Sequence, residues 1–268
     1  MTPNQSPSQV AEPMAGTQSI RRAVTMLEAF TDERPSWNVS ELAEVTGLNR
    51  TTAYRLLTAL ESAEYVVRDP SGDTYRLGSG LIVLGARAAR ANSVRAVALP
   101  ELEALALQTG ETATLEIMLG GEMVIIEEIP GEYVTSGNQH IGSRWPVYAT
   151  STGKAILAWL PPGELDAALP RSLPSLTERT KQEPPLTPRR LRERLAEIRR
   201  KGYAVVAEEL EMGFLAVGAP LLDANGRPVA AISLGGTLTR MTNERVLRIG
   251  ELVREAAGRV SHKLGYRG

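Results

Sequence analysis

The sequence predicts an α+β fold in two parts. Three observations predict it. Apolar residues recur at helical spacing over the first sixty or so ordered positions, strands alternate around glycine turns after residue 111, and amphipathic helices flank those strands. A chain of 268 residues, 43% hydrophobic and 23% charged, can bury a substantial core in one or two domains.

Residues 1–16 are polar and rich in Pro, Ser and Gln, which predicts a disordered tail. Ile20, Ala23, Val24, Leu27 and Phe30 mark a first helix over about Thr17–Phe30. Pro35 interrupts, and Trp37-Asn38-Val39 suits a short extended piece. Ser40 is expected to cap a second helix that stops at Gly47. Asn49 is expected to cap a third, from Arg50 to about Ala63, with Ala53, Leu56, Leu57 and Leu60 turned inward. Strands at Tyr65–Arg68 and Thr74–Leu77 flank the turn Asp69-Pro70-Ser71-Gly72-Asp73. Helix, helix, tight glycine turn, helix and hairpin is the order of a winged helix-turn-helix.

Residues 79–92 read as a connecting helix carrying Arg87 and Arg90. Beyond it a helix continues through Pro100–Gln108. Strands follow at Thr112–Leu119 and Glu122–Ile129, around Gly120-Gly121. Val147–Ala149 is expected to be extended and to lead into a helix over Thr150–Leu160, closed by Pro161-Pro162. A charged helix spans Pro188–Lys201, strands take Tyr203–Val206, Leu215–Leu222 and Pro228–Gly235, and a last helix runs over Asn243–Leu264. The expected domains are therefore 17–78 and 93–268, with the helix of 79–92 between them and a mixed or antiparallel sheet in the second.

Composition excludes several chemistries. The sequence contains no cysteine, which removes disulfides, thiolate metal sites and a cysteine nucleophile. His140 and His262 are too few and too far apart for a histidine metal cage. The apolar uncharged stretches Gly213–Leu222 and Pro228–Thr239 hold 10 and 12 residues, well short of the roughly 20 a membrane helix needs. No basic region followed by an apolar one opens the chain. A soluble cytoplasmic protein without a cofactor is expected.

Two segments carry candidate chemistry. With its apolar side turned in, the third helix presents Arg50, Thr51, Thr52, Tyr54, Arg55 and Thr58 outward near its N-terminus, next to Asn49 and not far from Ser40. Arginine pairs bidentately with guanine, and Thr and Tyr hydroxyls suit phosphate oxygens. Against this, residues 17–78 hold seven Arg, no Lys and nine acidic residues, so a solvated helix face or a protein-contact module stands as an alternative. The second segment is Ser151-Thr152-Gly153-Lys154. It fits the S-x-x-K of a serine nucleophile but lacks the companion motifs. Alternatively, Thr150 caps the helix, and the N–H groups of Ser151 and Thr152 face a carboxylate or remain within a packed helix start. The helix of 189–201, with seven basic and two acidic residues, reads as a solvated face, and His140 and Arg144 lie in a glycine-flanked loop.

The run SIRRAVTMLEAF, followed by SELAEVTGLNRTTAYRLLTALESAEYVVRDPSGDTYRLG, resembles the winged helix-turn-helix of the IclR family of bacterial transcriptional regulators. The second half adds IGSRWP leading to TSTGKAILAWLP, then EIRRKGYAVVAEELEMGFLAVGAPLLDANGRPVAAISLGG, and a final helix ending HKLG. The resemblance covers about Thr17–Gly265. It implies a DNA-binding domain, a linker helix and a GAF-like effector domain, with operator DNA, a small-molecule effector and a second copy of the chain as partners, and no catalytic activity.

In family members that bind small oxo-acids, backbone at the capped helix start holds the ligand, which corresponds here to Ser151 and Thr152, with Arg144 in the preceding loop. The family's acidic position falls near Val206 or Ala207, its cysteine at Ala216, and its two serines at Ser233 and Gly235. Only one serine is kept. That loss points to a carboxylate effector with a larger apolar or aromatic body, since burying apolar surface yields roughly 25 cal/mol per Å².

Overall fold

A computed structural model describes residues 17–268 except 71, 134–139, 171 and 183–185; the expected tail and Ser71 of the predicted turn lie outside the described residues. The chain divides into two compact units, the boundary falling after Ala88.

The first unit begins with α1 (Thr17–Glu28), followed by β1 (Ser36–Trp37), α2 (Val39–Val45) and α3 (Arg50–Ser62). The hairpin β2 (Val66–Arg68) and β3 (Tyr75–Leu77) completes a three-stranded antiparallel sheet in the order β1-β3-β2. The cap of α2 differs from expectation. Asn38, not Ser40, accepts the Glu41 N–H at 2.9 Å, and the Glu41 carboxylate accepts the Asn38 N–H in return. Asparagine in extended backbone does what serine was expected to do, and Ser40 stands exposed in the first turn. Gly47 takes φ 64, a left-handed turn between α2 and α3 where a side chain would be strained.

The core of this unit is Met26, Trp37, Leu42, Ala43, Ala53, Leu57, Val66 and Tyr75, with Leu56 and Leu60 packed against it. The indole of Trp37 donates to the Ala29 carbonyl at 2.9 Å, fixing the end of α1 to the sheet. Helix α4 (Ser79–Ala91) follows, and none of its residues is buried.

The second unit holds one six-stranded sheet. α5 (Ser93–Thr109) precedes β4 (Thr112–Leu119) and β5 (Glu122–Ile129), which form the expected hairpin. β6 (Arg144–Pro146) then pairs with β5, and residues 147–149 turn rather than extend, because the strand closes at Pro146. α6 (Ser151–Leu157) is shorter than expected, and Pro162 opens α7 (Pro162–Ala168) instead of merely stopping α6. Next come α8 (Glu178–Gln182), α9 (Pro188–Lys201), β7 (Ala204–Ala207), β8 (Phe214–Leu222), β9 (Pro228–Thr237) and α10 (Asn243–Lys263). Strand order is β6-β5-β4-β9-β8-β7, and every pairing is antiparallel.

Alternation along these strands sorts side chains onto two covered faces. Leu115, Val217, Ile232 and Leu234 pack with Leu102 and Leu105 of α5 and with Val253, Ala257 and Val260 of α10. On the other face Met123, Ala204 and Ala231 pack with Ile156 and Leu157 of α6 and with Leu191, Leu195 and Ile198 of α9. Residues 114, 116, 216, 218 and 233 belong to this second face, under the start of α6.

Candidate nucleic-acid interface and ligand cavity

The exposed side of α3 is built by its cap and its period. Asn49 accepts the Thr52 N–H at 2.8 Å, starting the helix as expected. Ala53 and Leu57 are buried, so Arg50, Thr51, Tyr54, Arg55 and Thr58 stand exposed along one side and Thr52 is half-buried. Neither Arg50 nor Arg55 forms an ion pair among the described residues. The Thr58 hydroxyl donates back to the Tyr54 carbonyl at 3.0 Å, so its one proton is used within the helix.

The second site is a cavity of about 30 Å³ beneath the start of α6. Two glycines permit the close packing. A Cβ on Gly153 would meet the Val147 carbonyl at 2.0 Å, and one on Gly218 would meet the Thr152 nitrogen at 2.9 Å. Thr150 caps the helix by accepting the Gly153 N–H at 2.9 Å, and all seven residues of α6 are buried. Cross-strand registers then gather the floor: Thr114 faces Ser233, and Ala216 faces both Val206 and Gly235.

Five of the sequence-predicted residues line this cavity: Ser151, Thr152, Val206, Ala216 and Ser233. Two do not. Arg144 is exposed and pairs with Glu122 at 3.1 Å on the neighbouring strand, so its side chain points away, and Trp145 lines the cavity instead. Gly235 lies under the Phe214 ring, whose Cζ sits 2.4 Å from where a Cβ would stand. Phe214 thereby becomes the wall.

The residue that sequence reasoning missed is Glu116. Its carboxyl lies in the cavity wall, is 6% exposed, and has no cationic partner among the described residues. Thr152 donates to Oε2 at 2.6 Å and Thr114 to Oε1 at 2.9 Å, while Thr114 and Ser233 share a further hydrogen bond at 2.8 Å. Burial raises the Glu116 carboxyl above the ordinary carboxylate range, and the hydroxyl donors from Thr152, Thr114 and Ser233 pull the other way. The cavity is therefore not stripped of polar groups, as the substitutions at 206, 216 and 235 suggested. The signal was present in the alternation Ala113-Thr114-Leu115-Glu116-Ile117, which puts Thr114 and Glu116 on one face. Reading that face as covered required knowing that α6 lies on it.

The serine–lysine alternative fares differently. Lys154 is buried and paired with Glu209 at 2.6 Å, with Arg194 also 3.5 Å from that carboxylate. That pairing holds the Lys154 side chain against Glu209. A larger open depression of about 320 Å³ adjoins the cavity at Ala149 and Glu209 and is walled by Tyr148, Leu173, Arg190 and Arg194.

Comparison with known proteins agrees with these features. The model of the IclR helix-turn-helix domain matches residues 19–70, and that of the bacterial transcriptional regulator IclR C-terminal domain matches residues 86–262. The chain is 32% identical over 255 residues to the HTH-type transcriptional regulator XynR of Escherichia coli, covering 93% of this chain and 98% of that one. Among solved structures, Thermotoga maritima IclR is 32% identical with a TM-score of 0.72, covering 93% of this chain and all of the other. An IclR homologue from Microbacterium hydrocarbonoxydans, complexed with 4-hydroxybenzoate, is 27% identical with a TM-score of 0.78, covering 92% and 99%. Every named relative here is a regulator, none an enzyme. A helix-turn-helix domain followed by an IclR C-terminal domain is the order in which the two family models match, and the chain belongs to the IclR family of bacterial transcriptional regulators.

Proposed function

We propose that this DNA-binding regulator changes its operator occupancy when a small carboxylic acid with an apolar or aromatic body binds the second unit. The observation that carries the reading is the cavity under α6, where five residues expected to contact an effector converge. A relative of the same family crystallised with 4-hydroxybenzoate, an aromatic acid, supports the class of ligand. At about 30 Å³ the cavity takes a polar head group only, so the body extends toward the adjoining depression of about 320 Å³.

Arg50 and Arg55 read base edges, and Thr51, Thr52 and Tyr54 contact phosphates, with Ser40 and Asn49 at the neighbouring helix starts and Thr58, its proton held by the Tyr54 carbonyl, beside them. Self-association supplies the second recognition helix. The exposed Ile20 and Val24 of α1 and Ile82, Val83 and Leu84 of α4 offer apolar surface for it. Half-sites about one helical turn apart, ~34 Å, or a multiple of that, follow from such symmetry. The effector acts only through its differential affinity for the DNA-competent arrangement, coupled through α4. Work on operator DNA implies the cytoplasm.

Fluorescence anisotropy of a labelled operator fragment, titrated with protein in the presence and absence of benzoate or 4-hydroxybenzoate, tests the reading. A changed dissociation constant with acid supports it. Unchanged binding at saturating acid removes the aromatic-acid reading.

A further inference from the structure

Resting on the carboxylic-acid reading above, we propose that Glu116 and Trp145 set the effector's specificity, selecting an acid that carries a hydroxyl on the carbon next to its carboxylate. A hydroxyl has a single proton to give. Thr114 gives its proton to Glu116, and the Ser233 hydroxyl gives its own to Thr114 or to that same carboxyl. Thr152 gives its proton to the other carboxyl oxygen at 2.6 Å, in preference to Thr150 at 3.3 Å. All three hydroxyls thus point their protons toward the Glu116 end of the network, and in the ionised carboxylate both oxygens act as acceptors.

A carboxylate with two oxygens has about four acceptor positions, of which Thr152, Thr114 and Ser233 fill at most three. What remains faces a cavity lined also by Ile125, Ala216 and Phe214, which have no side-chain donor, and by the Ser151 hydroxyl and Trp145. A ligand's hydrogen-bond donor fits this place, while a second carboxylate or a keto oxygen meets acceptor against acceptor.

Trp145 supplies the complement. Its indole N–H is buried and finds no acceptor among the described residues, and its ring lines the same cavity. Tryptophan can only donate, so the group it meets on the ligand is an acceptor such as a carboxylate oxygen. A donor and an acceptor within a head group small enough for about 30 Å³ are adjacent on the ligand, as hydroxyl and carboxylate are in a 2-hydroxy acid.

Calorimetric titration of the purified chain with mandelate, phenylacetate and phenylglyoxylate tests the proposal. The three share ring and carboxylate and differ at the adjacent carbon, which bears a hydroxyl, two hydrogens or a keto oxygen. Mandelate is expected to bind at least about tenfold more tightly than either of the others, as a hydrogen bond to a buried carboxyl requires. In Glu116→Gln the amide can donate, so the preference for mandelate over phenylglyoxylate is expected to fall or reverse. In Trp145→Phe all three are expected to weaken alike. Either other acid binding as tightly as mandelate overturns the proposal, and this ranking needs no variant to fold. Discrimination unchanged in a folded Glu116→Gln protein, judged by its circular dichroism, overturns it too. In both cases the carboxylic-acid reading stands. If none of the three acids and neither benzoate nor 4-hydroxybenzoate binds, that reading falls and takes the proposal with it.

Discussion

The Thr152 hydroxyl donates to the Glu116 carboxyl across 2.6 Å, tying the first turn of α6 to the second half of β4. Both groups are almost wholly buried, so the bond is made where water does not compete. It joins the sheet floor of the cavity to the helix above it, and a group that enters the cavity meets both partners at once.

Replacing Thr152 with valine keeps the side-chain shape and removes the donor. One Glu116 oxygen then loses its partner in a buried site, at a cost of about 1–3 kcal/mol. Urea unfolding of the C-terminal transition reads this loss. A variant as stable as the parent shows that the bond contributes nothing net.

Glu116 also imposes a pH dependence. Burial raises its folded-state pKa above the unfolded value, so the folded state binds the proton more tightly. Its contribution to stability is complete below the unfolded pKa and is lost as pH rises through the folded one. Glu116→Gln removes this dependence. The melting temperature of the variant relative to the parent is expected to climb as pH rises above the ordinary carboxylate range. A difference independent of pH contradicts the assignment.

Away from the cavity, Glu111 is fully buried against two guanidinium groups, Arg240 at 2.7 Å and Arg245 at 3.0 Å, with the Tyr133 ring beside both. The Glu111 carboxylate raises the Arg240 pKa through hydrogen bonding. Removing one member of a buried pair leaves uncompensated charge, and Glu111→Ala is expected to cost about 3–5 kcal/mol. Thermal or chemical unfolding measures it, and a loss below about 1 kcal/mol shows that water replaces the carboxylate freely.

On α3, Arg55→Ala is expected to weaken specific DNA binding by about 1–3 kcal/mol and to leave random-sequence binding nearly unchanged. An equal loss on both DNAs makes Arg55 a phosphate contact instead.

Much of this was legible in the sequence because local rules agree with the packing. The hairpin at Gly120-Gly121, the cap at Asn49 and the inward positions of α9 follow from turn chemistry and helical period alone. Ser40 misled because Asn38 two residues earlier competes for the same cap, and its reciprocal bond with Glu41 decides the competition. Arg144 and Trp145 are neighbours on one strand and point oppositely, so a register set by β5 decides which reaches the cavity. Glu116 was invisible as a site residue for a different reason. A polar residue on an alternating strand reads as solvent-facing until a helix distant in sequence is known to cover it.

The central claim is sequence-specific DNA binding that a small acid controls. Footprinting the DNA upstream of the chain's own gene, at two salt concentrations and with and without mandelate or 4-hydroxybenzoate, tests it most directly. The account predicts a protected palindrome with half-sites about one helical turn or a multiple apart, surviving moderate salt and altered by acid. Uniform binding erased by salt, or protection indifferent to every acid tried, would contradict it.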